Sequence, residues 1–180
     1  MSVRQHGPES FDLQPTLTGE TISLRPLKPD DFEALFAAAS DPLIWAQHPE
    51  PLRYQRPVFE GFFSGALASG GALVAIENGS GRVIGSSRYY DWEPGRGEVV
   101  IGYTFLTRDH WGGATNREMK SLMLGHAFRW AKVILFEVGR NNWRSRRAMK
   151  KIGGNYSHEV RKELNGAIHD YVVFKIAAPA

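Results

Sequence analysis

The sequence predicts an α/β fold in which helices cover both faces of one mixed sheet of about seven strands. Apolar residues recur at every second position in some segments, which is typical of strands, and at helical spacing in others. These segments follow one another in the order β-α-α-β-β-β-α-β-α-β-β. In addition, the strand predicted over 98–107 is apolar on both faces, which is typical of a central strand that is covered on both sides.

The first half of the chain is predicted to contain three strands and two helices. The strands lie at 20–27, 72–77 and 82–91, and the helices at 29–40 and 57–69. Prolines open both helices, and an Asn-Gly-Ser-Gly turn joins the last two strands as a hairpin. Residues 41–56 are predicted to form a loop, because they carry several prolines and no sustained period.

The second half begins with the central strand and continues as a strand–helix–strand crossover. In the central strand, one face is predicted to hold Val99, Ile101, Tyr103 and Phe105, and the other Val100, Gly102, Thr104 and Leu106. The following elements are a helix at 114–130, a strand at 132–138, a helix at 142–152 and a hairpin of 155–164 with 168–177. His126 lies near the core stripe of the first of these helices, so a structural role is expected.

Length and composition limit the classes of function. We expect 180 residues to form one domain at 19–177, preceded by a flexible arm at 1–18. The absence of cysteine excludes disulfides and thiolate metal sites and fits the cytoplasm. No His-x-x-x-His spacing, secretory leader or 18-residue apolar run is present, so neither a metal nor a membrane is expected. A formal net charge of +3 suits an anionic ligand and is too small to indicate nucleic acid.

Two junctions between a strand and a helix carry the candidate site. The first, His110-Trp111-Gly112-Gly113-Ala114-Thr115-Asn116-Arg117-Glu118, follows the central strand. Two glycines allow close approach to a ligand, and the first helical amides can bind a diphosphate. Alternatively this is only a tight loop, and Thr115 with Glu118 could form a capping box that uses some of those amides.

The second junction opens a basic helix, Asn142-Trp143-Arg144-Ser145-Arg146-Arg147. Its helical spacing predicts Arg144, Arg147 and Lys151 on one outward face. Asn142 could be only the N-cap and Ser145 a first-turn hydroxyl. Because both helices follow the carboxyl ends of neighbouring parallel strands, their N-termini are expected to converge on one acidic ligand.

These residues resemble the GCN-five-related N-acetyltransferases (GNAT superfamily), in the branch of the RimJ/RimL type. The resemblance covers about residues 16–177 and depends on "GETISLRPLKPDD", "HWGGATNRE" and the Asn-x-x-Ser helix "VGRNNWRSRRAMKKIGG". It implies a mostly antiparallel sheet with a V-shaped splay between the fourth and fifth strands. It also implies an acetyl-CoA-dependent N-acetyltransferase that acts by direct attack of an amine, with no metal.

The resemblance also assigns residues to the cofactor and the chemistry. Pantetheine would pair with the strand end, and the pyrophosphate would meet the amides of the loop and helix. The cofactor-binding residues implied are Phe105, Leu106, Thr107, Trp111, Gly112, Gly113, Ala114, Thr115, Asn116, Asn142 and Arg147. Ser145 matches the hydroxyl that protonates the CoA thiolate, and Glu98 is the catalytic carboxylate suggested by its place on the strand. The chain departs from the family pattern at Val100, where the branch often has Glu, and at Asp109.

Several alternatives stay open at the level of sequence. His48, His110 and His169 are further candidates for a base, and proximity with a water chain can replace a dedicated base. The acceptor is expected to be an amine of a small molecule or a protein N-terminus, and the protein a monomer or homodimer. The alternative function is a GNAT-fold protein that binds acetyl-CoA as a sensor without catalysis, and acetyl-CoA-dependent CoA release would separate the two.

Overall fold

The computed structural model describes residues 10–180, in which one eight-stranded sheet separates two layers of helices. The strands are β1 Leu17–Thr18, β2 Ile22–Pro26, β3 Ala72–Glu77, β4 Val83–Glu93, β5 Glu98–Leu106, β6 Val133–Gly139, β7 Asn155–Leu164 and β8 Ala167–Ala177. The helices are α1 Phe32–Ala39, α2 Pro42–Trp45, α3 Arg56–Ser69, α4 Thr115–Ala127 and α5 Trp143–Lys151. The strand order β1-β2-β3-β4-β5-β6-β8-β7 confirms the predicted mixed sheet, with one strand more than predicted.

The additional strand comes from the segment predicted to be a flexible arm. Residues 1–9 of that segment lie outside the described residues. In the rest of it, Leu17–Thr18 pairs antiparallel with β2. Phe11 is only 8% exposed, and its ring stacks on Trp130 at 5.2 Å between centroids. Residues 10–18 therefore pack as part of the domain.

The predicted loop at 41–56 contains a short helix that the sequence analysis missed. Asp41 begins α2, because its Oδ1 accepts a hydrogen bond from the Leu43 amide at 3.0 Å. At the end of α2, the indole of Trp45 donates to the carbonyl of Ala39 at 2.8 Å. This bond fixes α2 against α1, and it places the following loop beside the sheet.

The parallel pair of the sheet, β5 and β6, is joined over only three residues of each strand. Glu98, Val99 and Val100 pair with Val133, Ile134 and Leu135, and all other neighbouring strands in the described sheet are antiparallel. Beyond these residues the two strands continue without pairing to each other, to Leu106 and Gly139. The expected V-shaped splay is thus confirmed, and it opens toward the N-termini of α4 and α5.

A bulge in β5 changes which residues face which layer. Tyr103 has φ +52°, a left-handed conformation that is strained for a residue with a Cβ, and the pairing of β4 with β5 shifts register beside it. The prediction that Tyr103 and Phe105 share a face with Val99 and Ile101 is therefore wrong. After the bulge, Leu106 joins Val99 and Ile101 in one core, while Phe105 packs in the other.

The two cores differ in their helices. One lies under α4 and α5 and includes Met119, Met123 and Phe136. The other lies under α1, α2 and α3 and includes Trp45 and Phe59. In residues 10–180, no helix is both long enough and apolar enough to cross a membrane.

Candidate functional site

A cavity of about 650 Å³ occupies the splay between β5 and β6. Its walls come from the separated halves of both strands, the first turns of α4 and α5, and the end of α2. Of the residues predicted to bind the cofactor or act on it, those on the wall are Phe105, Leu106, Trp111, Gly112, Gly113, Asn116, Asn142, Ser145 and Arg147. Thr107, Ala114, Thr115 and Glu98 are not on the wall.

The junction before α4 leaves its helix N-terminus free to bind an anion. Gly112 has φ +71°, which glycine adopts readily, while Ala114 has φ −79° and needs no glycine. Among residues 10–180 no side chain caps α4. The capping box that the sequence allowed is not formed, because Glu118 instead accepts a hydrogen bond from the Thr21 amide at 2.9 Å. The first amides of α4 therefore retain their capacity to donate.

Asp109, which would repel a phosphate, is directed away from this junction. Its carboxylate is paired with Arg82 at 2.5 Å. The neighbouring His110 lies between the hydroxyl of Thr115 and the carboxylate of Glu77, each 2.9 Å from a ring nitrogen. His110 is thus a wall of the cavity fixed from two sides, in keeping with a positioning role for the loop.

The N-terminus of α5 faces the same cavity. Asn142 is 4% exposed and caps the helix, because its Oδ1 accepts from the Ser145 amide at 3.2 Å. The cap uses the Asn142 side-chain oxygen and not its amide nitrogen, and both Asn142 and Ser145 line the cavity. Asn142 therefore has the structural role that the sequence allowed and a place in the site.

Arg144 connects opposite walls of the cavity, whereas an outward position had been predicted. Its guanidinium lies 3.8 Å from the centroid of the Trp111 ring. The same group donates to the carbonyl of Ile44 at 2.7 Å. Burial lowers the pKa of Arg144 below its ordinary value. The outward prediction is wrong for this residue, because the cavity offers its side chain an aromatic face and a carbonyl.

The backbone at the end of β5 is partly occupied. The carbonyl of Phe105 lies against Gly85 of β4, and the amide of Thr107 donates to Ile84 at 2.8 Å. Since successive residues of a strand direct their backbone groups to opposite edges, Thr104 and Leu106 face the splay. The Leu106 carbonyl already accepts from the Trp111 indole at 3.0 Å. The free backbone therefore lies beside the bulge, slightly upstream of the predicted position.

The candidate bases are brought together only in part, because His48 and His110 both line the cavity and His48 and His169 both line a second, smaller hollow. Glu98 is paired with Arg96 at 3.0 Å and lies where β5 begins, at the closed end of the splay. His169 lies on β8 beside this smaller hollow. His126 contacts the backbone carbonyl of Asp12 at 2.7 Å and packs on Trp130, which fits its expected structural role.

His48 lies on the cavity wall but is unsuited to accept a proton. Its Nδ1 accepts a hydrogen bond from the Glu50 amide at 2.9 Å, so the neutral ring carries its proton on Nε2. Burial, followed by the positive charge of Arg53, lowers the pKa of His48 to about 3. A neutral imidazole in this tautomer donates a hydrogen bond.

Two ionisable wall residues were missed by the sequence analysis. Glu137 supplies the one carboxylate among the described residues of the wall, and it contacts the hydroxyl of Tyr90 and the ammonium of Lys162. Lys120 is 2% exposed and donates to the Thr104 hydroxyl at 2.6 Å, and burial lowers its pKa to about 7. The available signal for Glu137 was a single charge within the apolar strand KVILFEV.

Comparisons with known proteins identify the family and the fold of this chain. Residues 21–155 match the model of the acetyltransferase (GNAT) domain. A GCN5-related N-acetyltransferase from Brucella melitensis superposes with a TM-score of 0.82 at 21% identity, over 97% of this chain and 84% of the other. RimJ of Mycobacterium smegmatis, solved with CoA-disulfide, superposes with a TM-score of 0.68 at 19% identity. The match covers 87% of this chain and 82% of the other.

A third similar structure is the Microcin C7 self-immunity acetyltransferase MccE, solved with acetyl-CoA and AMP. It gives a TM-score of 0.74 at 12% identity, over 94% of this chain and all of the other. No curated protein matches the sequence. At these identities the structures show a shared fold.

Proposed function

Because this chain belongs to the GNAT acetyltransferase family, we propose that it transfers the acetyl group of acetyl-CoA to a primary amine. The observation that carries the proposal is the convergence of two helix N-termini on the splay between β5 and β6. A cavity of about 650 Å³ there is large enough to bury much of an extended ligand. The motifs of the sequence favour the RimJ/RimL-type branch, with a small-molecule amine or a protein N-terminus as acceptor.

The residues at the open end of the splay suit the diphosphate of CoA. A Cβ placed on Gly112 or Gly113 would meet no atom within 4 Å, so the loop leaves an open cradle. The uncapped amides of α4 point toward an anion bound in this cradle, and the helix dipole favours it. Asn116, Asn142 and Arg147 would add donors from the wall. CoA supplies the thioester, and the chain supplies the groups that bind and orient it.

The chemistry needs a polarised carbonyl, a neutral amine and a proton for the thiolate. The strained backbone at Tyr103 reorients peptide groups beside the splay, and a backbone amide there would polarise the thioester carbonyl. The amine nitrogen forms a bond to the carbonyl carbon, and the carbon–sulfur bond breaks. The amine releases one proton to water, and Ser145 gives its proton to the thiolate and regains one from water, so that the protons balance.

A dedicated base is not required by this arrangement. His48 carries its proton on Nε2 and would donate to the ligand, and Glu98 lies at the closed end of the splay. Glu137 is close enough to the cavity to hold a water that accepts the proton. Holding both reactants in one cleft lowers the barrier without proton abstraction by a strong base.

Two measurements test the proposed function: the affinity for CoA and the turnover of acetyl-CoA with an amine. Gly113→Val should fill the diphosphate cradle and weaken CoA binding, as measured by calorimetry, without disturbing the free protein. Gly125→Val is the matched control, since Gly125 lies later on α4 and also has no atom within 4 Å of an added Cβ. Equal CoA affinity in both variants would show that the site is elsewhere. Release of CoA from acetyl-CoA with a panel of amines then tests the transfer.

A further inference from the structure

Two arginines are buried beside the cavity on the face of the sheet that carries α1 to α3. Arg53 comes from the loop after α2 and is 4% exposed, and Arg88 comes from β4 and is 7% exposed. Both guanidinium groups flank the ring of Phe62, at 4.6 Å and 5.8 Å from its centroid. Two positive charges are therefore held close together around one apolar ring.

Within residues 10–180 neither guanidinium has a carboxylate at salt-bridge distance, although the more distant charge of Glu50 acts to raise the pKa of Arg53. The Arg88 side chain makes no hydrogen bond there, and the Arg53 guanidinium only approaches His48 Nε2 at 3.5 Å. Since that nitrogen carries its own proton, the approach brings two donors together. The Nε atoms of both arginines are buried and lack hydrogen-bond partners in the same part of the chain.

Two other arginines of the chain, Arg25 and Arg56, show the usual pairing with a carboxylate. Arg25 is paired with Asp31 at 2.7 Å, and the more exposed Arg56 is paired with Glu33 at 2.8 Å. A buried guanidinium without an anion is strongly disfavoured, because it loses water and gains no opposite charge. Burial lowers the pKa of Arg53 to about 10, so that the group is still charged at neutral pH. Aromatic faces offset part of the penalty.

The two arginines are not themselves on the cavity wall, but they contact side chains that are. Arg53 lies 5.1 Å from the ring centroid of Trp45 and contacts His48, and both of these residues line the cavity. Arg88 lies 3.8 Å from the ring centroid of Tyr103, which also lines it. This region is upstream on β5 from the junction that suits the diphosphate, so the two anion-binding regions are distinct.

We propose that Arg53 and Arg88 bind an anionic oxygen group of the acceptor, so that the substrate is an amine that also carries a carboxylate or a phosphate. This inference rests on the proposed acetyl transfer. The acceptor anion would satisfy the unpartnered guanidinium donors, and the neutral His48 would add a third donor. Glu137 is the carboxylate of the cavity wall and would suit the amine of the same acceptor.

The kinetic test uses acceptors in matched pairs. In the first pair an amino acid is compared with its carboxamide, and in the second an amino-sugar phosphate is compared with the free amino sugar. The first pair tests for a carboxylate and the second for a phosphate. In one of the two pairs, the kcat/KM for the anionic acceptor should be at least about 10²-fold higher than that for the neutral acceptor. Arg53→Met and Arg88→Met keep side-chain volume and remove the charge. Each should raise the KM for the anionic member about 10- to 100-fold, the range expected for a lost charge-assisted hydrogen bond.

Arg56→Met is the matched control, because Arg56 also stacks on aromatic rings, at 4.6 Å from the centroid of Phe36, but has its own carboxylate. In all three variants the KM for acetyl-CoA and the kinetics with the neutral members should stay within about threefold. A purely structural role of the arginines would lower activity toward both members of a pair, and that result would overturn the proposal. The proposal would also be overturned if the unaltered protein were equally active toward the anionic and the neutral acceptor in both pairs.

A binding experiment separates this inference from the acetyl transfer on which it rests. Inorganic phosphate and propionate are titrated by calorimetry into protein saturated with CoA, so that the diphosphate site is filled. Saturable binding of one probe in the unaltered protein and in Arg56→Met, lost in Arg53→Met and Arg88→Met, would support the anion site even if no amine is acetylated. Equal binding in all four proteins, or none in any, would refute it.

Discussion

Lys120 gives a prediction whose size follows from the structure. Its ammonium is almost completely buried between α4 and the sheet, with the Thr104 hydroxyl as its hydrogen-bond partner and the ring of Phe136 at 5.6 Å. Burial lowers its pKa from an ordinary value of 10.5 to about 7. Because one pKa unit corresponds to about 1.4 kcal/mol, keeping this charge in the fold costs on the order of 5 kcal/mol.

The sign of the pH dependence follows from the same values. Below pH 7, Lys120 is charged in both the folded and the unfolded chain, and the full penalty applies. Between about pH 7 and 10.5 the unfolded chain binds the proton more tightly, so the free energy of unfolding rises with pH. Above 10.5 both states are neutral, and the penalty is gone.

Lys120→Met should therefore stabilise the protein at neutral pH. Removing the charge gains about 5 kcal/mol, and losing the bond to Thr104 costs about 1 kcal/mol, which leaves roughly 3 to 4 kcal/mol. The advantage should shrink steadily above pH 7 and vanish near pH 10. Denaturant unfolding of both proteins from pH 6 to 10 measures it, with Lys150→Met, an exposed lysine of α5, as the control.

A stability gain that does not change between pH 7 and 10 would refute this reasoning, since it would reflect packing rather than charge. No gain at pH 7 would refute it as well, because the ammonium would then be reaching solvent.

The site gives three further predictions. Ser145→Ala should lower kcat for acetyl transfer while CoA affinity by calorimetry stays the same, with Ser121→Ala as control; unchanged kcat would remove Ser145 from the mechanism. Asn142→Ala should cost about 1 kcal/mol of unfolding free energy through the lost cap of α5, measured by denaturant melts. The rate should rise with pH as the acceptor amine becomes neutral, without an inflection near pH 6.5, because burial lowers the pKa of His48 to about 3. Replacing His48 or Glu137 should cost at most about 10²-fold, and a loss above about 10⁴-fold would reveal a dedicated base.

The regular elements were predictable because they repeat a pattern over many residues. The helix from Arg56 to Ser69 ends at Gly70, whose φ of +68° suits glycine, and the turn at Asn165–Gly166 has positive φ at both residues, as such hairpins require. Short features carried no such signal. The four residues of α2 depend on one cap and on tertiary contacts, so the sequence pattern predicts a loop there.

The bulge in β5 was unpredictable for a related reason. Tyr103 has no intrinsic preference for positive φ, so the strain there is imposed by the surrounding sheet. An error of one residue in a strand reverses every later side chain, and so the predicted faces failed from Tyr103 onward. Buried charges were also missed: Lys120, Arg53 and Arg88 each look like an ordinary surface residue until the fold places aromatic rings around them.

The short pairing between β5 and β6 also bears on how the domain moves. Three rungs of parallel pairing are the hydrogen-bonded seam between a five-stranded lobe and a three-stranded lobe, β6-β8-β7. Across the open part of that seam, the Arg144 side chain spans from α5 to the carbonyl of Ile44. We therefore expect the two lobes to hinge about Val100 and Leu135. A molecule bound along the seam would contact both lobes and restrict this motion. When such a molecule is bound, amide hydrogen exchange should become slower in both β5 and β6.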